Sequence, residues 1–192
     1  MRLCKAYIES FGPYSQSAQH DTPFLDRENA NDYDIRTWRE KCTVVDGKVV
    51  IPAMALKQAV DTAAYKLGEK VPGRRGATYR NFFTSGFICN DHVPISNGRA
   101  ITKDDAVMVR ISANADGVRG SGKRVPRRFP LFHKWHGVAE FTIVDDVITQ
   151  EVFERHVKAA GQIVGIGRFR PEKGGTNGRF RVTKFEWGSI EL

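Results

Sequence analysis

Cysteine is scarce. The 192-residue chain has three, Cys4, Cys42 and Cys89, far apart and without the CxxC spacing of a thiolate zinc site. An odd, scattered set argues against a disulfide framework and suits a reducing compartment, where free cysteines pack as small apolar residues. Long apolar runs are missing too. No stretch reaches the roughly 18 residues a membrane span requires, so no membrane partner is expected. The first ten residues lack the apolar core of a secretory signal, and the expected location is the cytoplasm. Walker loop, nucleophile elbow and Rossmann fingerprint are all absent. His133 and His136 have no cysteine or carboxylate at ligand spacing, so no metal site and no cofactor are expected from the residues alone.

Acidic residues are outnumbered. There are 22 against 30 lysines and arginines, for a net charge of +8 and a pI near 9.6, which points to a polyanionic partner. The excess sits in Gly/Pro-punctuated segments and not on one amphipathic face, which favours nucleic acid over a membrane surface. Three clusters stand out: Arg74, Arg75 and Arg80; Arg119, Lys123, Arg124, Arg127 and Arg128; Arg168, Arg170, Lys173, Arg179 and Arg181.

Along the chain, Cys4, Ala6 and Ile8 alternate with Lys5, Tyr7 and Glu9, the period of a half-buried strand, and Gly12-Pro13 ends it. Residues 14 to 42 read as a long loop with a short helical turn near 35 to 41. Asp46-Gly47 turns a hairpin. Pro52 then opens a helix with an apolar stripe of Leu56, Ala59, Val60, Ala63, Ala64 and Leu67, which Gly68 closes. Val107, Val109 and Ile111 predict a second core strand, and residues 116 to 130 a charged hairpin or loop. Residues 137 to 144 predict a third strand. Thr149 caps a helix that Gly161 stops, and residues 179 to 187 form the last strand.

That order, strand, helix, strand, strand, helix, strand, is the α+β ferredoxin-like (RRM-like) βαββαβ pattern. One domain is expected over 1-192, with a core at about 1-12, 43-68, 105-115 and 137-192 and insertions at about 13-42, 69-104 and 116-136. The second sheet face is left for a ligand or the insertions.

Between the second helix and the last strand, residues 164 to 180 hold five glycines and three arginines. Glycine permits close backbone approach and arginine supplies forked donors suited to phosphate, so Gly165, Gly167, Arg168, Arg170, Lys173, Gly174, Gly175 and Arg179 are the expected polyanion contacts. Phe169 and Phe180 either stack on bases or join the core. Lys57, one turn into the first helix and off its apolar stripe, is either a phosphate contact or a solvated lysine. Arg74, Arg75, Arg124, Arg127 and Arg128 lie on the expected insertions, where a basic channel with aromatic faces would serve any single strand, RNA or DNA.

Three stretches, in matching order, carry a resemblance. The glycine-rich loop resembles the C-terminal loop of the RAMP superfamily, whose members bind CRISPR RNA. Val50-Ile51-Pro52-Ala53-Met54-Ala55-Leu56-Lys57-Gln58-Ala59-Val60 is similar to that family's Ile-Pro-Gly-Ser-Ser-Leu-Lys-Gly-Ala-Leu stretch. His20-Asp21-Thr22-Pro23-Phe24 is similar to the Asp-x-Pro segment of type III backbone subunits. The chain departs where Ala53-Met54-Ala55 replaces Gly-Ser-Ser and Gln58 replaces a glycine; the helix start keeps its free amides. The resemblance implies single-stranded RNA bound by subunits stacked head-to-tail, with copies of itself and other CRISPR effector subunits as partners. A phage or mobile-element relative that binds single-stranded DNA or mimics a subunit is the alternative. For Asp21 it implies magnesium-dependent RNA cleavage, with His20 able to shuttle protons; a turn aspartate is the plainer reading.

Overall fold

The alternating N-terminal segment becomes the central strand of a four-stranded antiparallel sheet. The computed structural model describes residues 1–114 and 122–189. In chain order the elements are β1 (Arg2–Ser10), β2 (Tyr14–Ser15), α1 (Ala30–Thr37), β3 (Val44–Val45), β4 (Lys48–Ile51), α2 (Ala53–Leu67) and α3 (Tyr79–Ser85). There follow β5 (Phe87–Cys89), β6 (Val93–Pro94), β7 (Val107–Asn114), β8 (Arg124–Phe132), β9 (His136–Ile143), α4 (Gln150–Ala159) and β10 (Phe180–Ser189).

The main sheet runs β10-β1-β9-β5, the strand order of a ferredoxin-like core, with α2 and α4 on one face. The fold class is thus α+β, as the residue pattern implies. Cys4, Ala6 and Ile8 point toward the helices beside Ala139, Phe141 and Phe87, under Leu56, Val60 and Ala63 of α2 and Phe153 and Val157 of α4. Each is a small or branched apolar group on a period-two or period-3.6 position, so burial follows from the spacing. On the other face the sheet is charged: Lys5 meets Glu140 at 3.0 Å, and the Tyr7 hydroxyl donates to Glu186 at 2.8 Å.

The second core strand differs from the expectation. Residues 105-115 do not join the main sheet; β7 pairs with β8, and β8 with β2, in a separate sheet. Its place is taken by β5, three residues inside the segment expected to be an insertion at 69-104. A strand of three residues is too short to show a period, whereas Val107, Val109 and Ile111 show one without showing which sheet they join. The charged segment from 116 contributes β8, while residues 115–121, Arg119 included, lie outside the described residues. The third small sheet is β3-β4-β6, its Asp46-Gly47 turn in the left-handed conformation that the pair favours.

Gly161 does not stop α4. The helix runs through a π turn, Ala160–Val164, and Gly161 is glycine because a Cβ there would lie 2.2 Å from the Phe180 carbonyl oxygen. This close crossing fixes where the glycine-rich segment leaves the core.

His156 of α4 is fully buried, its ring 4.4 Å from that of Phe83, and its Nδ1 donates to the Val152 carbonyl. Desolvation is the largest influence and holds its pKa below the ordinary histidine value. The folded state therefore refuses a proton that the unfolded chain accepts. This contribution to stability is full above about pH 6.5 and is lost as the pH falls. Denaturant melts between pH 7 and 5 are expected to show a loss of up to ~1.4 kcal/mol per pH unit from this group, absent in His156→Phe.

Candidate nucleic-acid interface

A groove of about 1140 Å³ opens between the first turns of α2, the glycine-rich loop, the segment after β2 and the paired strand ends at Asn114 and Arg124. Pro52, Ala55, Gln58, Ala59 and Thr62 supply the helix wall; Val164 to Arg170 and Glu172 to Gly175 supply the opposite one. The two stretches expected to meet phosphate thus face one cavity. Residues at the helix start leave amides without intrahelical partners, and α2 has no side-chain cap and no acidic residue in its first turn. Ala53 N–H is engaged by His92 Nδ1 at 3.1 Å.

The loop's glycines answer first to its own packing. Gly167 has φ +71°, and a Cβ there would lie 2.3 Å from the Ser15 carbonyl oxygen; one on Gly175 would lie 1.8 Å from that of Phe169. Gly165 and Gly174 share the same wall. Close approach, expected toward a ligand, is spent on folding the loop onto itself and onto β2.

Arg179 and Arg168 both keep a buried Nε without a hydrogen-bond partner among the described residues, and of the two it is Arg168 that lines the groove. Its backbone N–H donates to the Ser15 carbonyl at 2.8 Å, and its guanidinium lies 3.7 Å from the Phe129 ring centroid and 4.9 Å from that of Phe169. Rings cover the faces of the guanidinium. Among the described residues its Nε is buried without a hydrogen-bond partner and no carboxylate pairs with it. Desolvation pulls its pKa below the ordinary arginine value.

The other expected contacts divide. Arg124 lies on the groove rim and donates to the Ser112 carbonyl at 2.8 Å. Arg170 and Lys173 line the groove but share Glu172, at 2.8 and 3.1 Å. Burial pushes the Glu172 pKa up, and the hydrogen bonds from Lys173 and Arg170 outweigh it, so the carboxyl stays below its usual range. Arg179 is half-buried beyond the groove, its carbonyl accepting from Phe11 and Gly12. Arg127 is half-buried opposite Ile111, outside the groove wall. Arg74 and Arg75 are exposed in the turn after α2, Arg74 over the Phe82 ring, also away from it.

Lys57 and Arg128 are structural. Lys57 Nζ bonds Asp61 at 2.5 Å and the Phe83 and Thr84 carbonyls, above the Phe87 ring. Arg128 pairs with buried Asp34 at 3.2 Å, Lys41 with the same carboxylate at 2.5 Å, and together they pin α1 to β8. Buried acceptors claimed both cations, which residue type and position alone do not reveal.

Asp21 is exposed, and His20 Nδ1 lies 3.1 Å from the Thr22 hydroxyl, its ring stacked on Tyr33. Among the described residues no three His, Cys, Asp or Glu side chains converge to hold a metal. No helix among the described residues is long and apolar enough to cross a membrane. The groove also has walls not anticipated from sequence: Tyr14, Gln16, Ser17, Gln58, Thr62 and the half-buried carboxylate of Asp61. The helical ones were legible, because Ala55, Gln58 and Thr62 share the face of α2 that its start presents.

No protein-family profile and no curated protein sequence matches the chain. Among solved structures, the crystal structure of Cmr6 from Pyrococcus furiosus superposes with a TM-score of 0.52 at 12% identity, over 95% of this chain and 98% of that one. The cryo-EM structure of the type III-B Cmr-beta bound to cognate target RNA reaches 0.49 at 12%, over 97% of this chain and 60% of that one. A CRISPR RNA-guided surveillance complex reaches 0.37 at 13%, over 95% and 66%. The first likeness shows the fold, and it agrees with the α+β, ferredoxin-like core of the main sheet.

Two arginines make opposite expectations testable. Arg128→Met leaves Asp34 buried beside one cation fewer and should cost ~3 kcal/mol or more in a denaturant melt. Arg168→Met keeps the stem on Phe129 and removes an unpaired charge, so its melting temperature should equal or exceed that of the parent.

Proposed function

We propose that this chain is a RAMP-type subunit of a CRISPR-associated assembly and that it binds single-stranded nucleic acid, RNA in preference, in the groove between α2 and the glycine-rich loop. The observation that carries this reading is Arg168, desolvated, without an acidic partner among the described residues, and set in the groove wall. The net charge of +8, the absence of acidic residues from the first turn of α2 and the likeness in fold to Cmr6 support it. Catalysis through Asp21 has no such support.

Assembly with further copies is a second, finer reading that a surface pattern favours. Around α1 the chain exposes Phe24, Leu25 and Ile35 among charges of both signs, Asp21, Asp26 and Asp32 with Arg27 and Arg36; beyond the C-terminal end of α2 it exposes Lys66, Lys70, Arg74, Arg75 and Arg80 beside Tyr65 and Leu67. Two unlike patches, each with exposed apolar side chains, allow a heterologous, head-to-tail contact.

Fluorescence anisotropy with labelled single-stranded RNA, single-stranded DNA and duplex is the direct test. Three or four phosphate contacts predict that affinity falls roughly 20- to 50-fold from about 50 to about 200 mM salt. Arg168→Ala should weaken binding about tenfold at low salt. Equal binding of duplex, or no binding at low salt, rejects the groove reading; tighter binding of DNA favours the mobile-element alternative. For assembly, size-exclusion chromatography after nuclease treatment should show species larger than a monomer at low salt that Arg74→Glu/Arg75→Glu returns to monomer.

A further inference from the structure

We infer that Phe169 is a nucleobase platform, the outer tier of a column that begins in the core, and that the groove therefore takes a strand with accessible bases. The inference rests on the groove binding a nucleic acid.

The backbone at Phe169 points to this role. Its φ is +56°, a left-handed conformation that a bulky aromatic residue rarely adopts. The other non-glycine residues there are Asp46, a hairpin-turn residue of a type that tolerates it, and Arg27, in the exposed turn before α1. The conformation is over-determined by neighbours: Arg168 N–H is held by the Ser15 carbonyl, Asn177 N–H donates to the Phe169 carbonyl at 2.9 Å, and Gly175 leaves that carbonyl room which any Cβ would take. Strain kept in place from several sides is characteristic of functional positions.

What the strain achieves is exposure. Phe180, at the far end of the same loop, is 1% exposed and belongs to the core, whereas Phe169 is 42% exposed on the groove wall. Behind Phe169 stands the Arg168 guanidinium, and behind that the buried ring of Phe129 on β8. A column anchored at one end in the core and ending in an open ring beside phosphate-competent donors matches a base with its own phosphate. Inorganic polyphosphate lacks a ring to stack, and a duplex keeps its bases inside.

The experiment uses the full chain and an oligouridine of about 12 nucleotides, long enough for one such site, with 5-iodouridine at each position in turn. Irradiated complexes are mapped by peptide mass spectrometry, and affinity and melting temperature are measured for the parent, Phe169→Asn and Phe169→Tyr. Asparagine accepts the left-handed backbone, so Phe169→Asn should keep or raise the melting temperature, lose the adduct at position 169 and bind about tenfold more weakly. Phe169→Tyr should retain both adduct and affinity. Parent that binds RNA without an adduct on Phe169, or Phe169→Asn that binds as tightly as the parent, overturns the platform and leaves the groove standing. A lowered melting temperature in Phe169→Asn assigns the ring a packing role and likewise overturns it. Failure of the parent to bind RNA removes the groove reading and the platform together.

Discussion

The site depends on one seam, where the segment after β1 is sealed to the segment before β10. Gly178 N–H donates to the Pro13 carbonyl at 2.7 Å, Arg168 N–H to that of Ser15 at 2.8 Å, and Gly167 lies too close to Tyr14 and Ser15 for any side chain. Because β1 and β10 are neighbours in the main sheet and β2 belongs to the second sheet, this seam holds the two sheets in a fixed relation. The groove lies beside this seam, between the glycine-rich loop, α2 and the β7–β8 strands. Its depth comes from the same backbone contacts that consume the loop's glycines.

Charge in this chain acts in two regimes. Where a cation is buried with an acceptor, as Arg128 with Asp34 or Lys57 with Asp61, it fastens one element to another, and its ionic reach ends there. Where burial comes without an acceptor among the described residues, as at Arg168, desolvation is uncompensated. The folded state is less stable for it. Phe169 repeats the arrangement in the backbone: a strained conformation held by its neighbours, with an exposed ring as the result.

Much of the fold was legible. The two helices and the strands at the termini carry clean periods, and Pro52, Gly68 and Thr149 mark ends that the structure uses as caps. The second core strand was not, because three residues of β5 carry no period and its assignment depends on pairing with β9, over fifty residues away. The glycine-rich loop was recognisable as a site by its composition, and so was the helix start opposite it. Which arginines remain free was not recognisable, since Asp34 and Glu172 reach their partners through tertiary contacts or a turn of the loop.

By itself the sequence determined the α+β order, the amphipathic faces and the placing of glycine and arginine in one segment, because these follow from local spacing and from the conformations each residue type allows. Only the tertiary structure decided that the glycines serve the loop's own closure, that Arg168 keeps its charge unpaired, and that Phe169 faces the groove while Phe180 enters the core. Pairing, desolvation and exposure are set by groups distant in the chain, and no local pattern encodes which of several like residues those groups will meet.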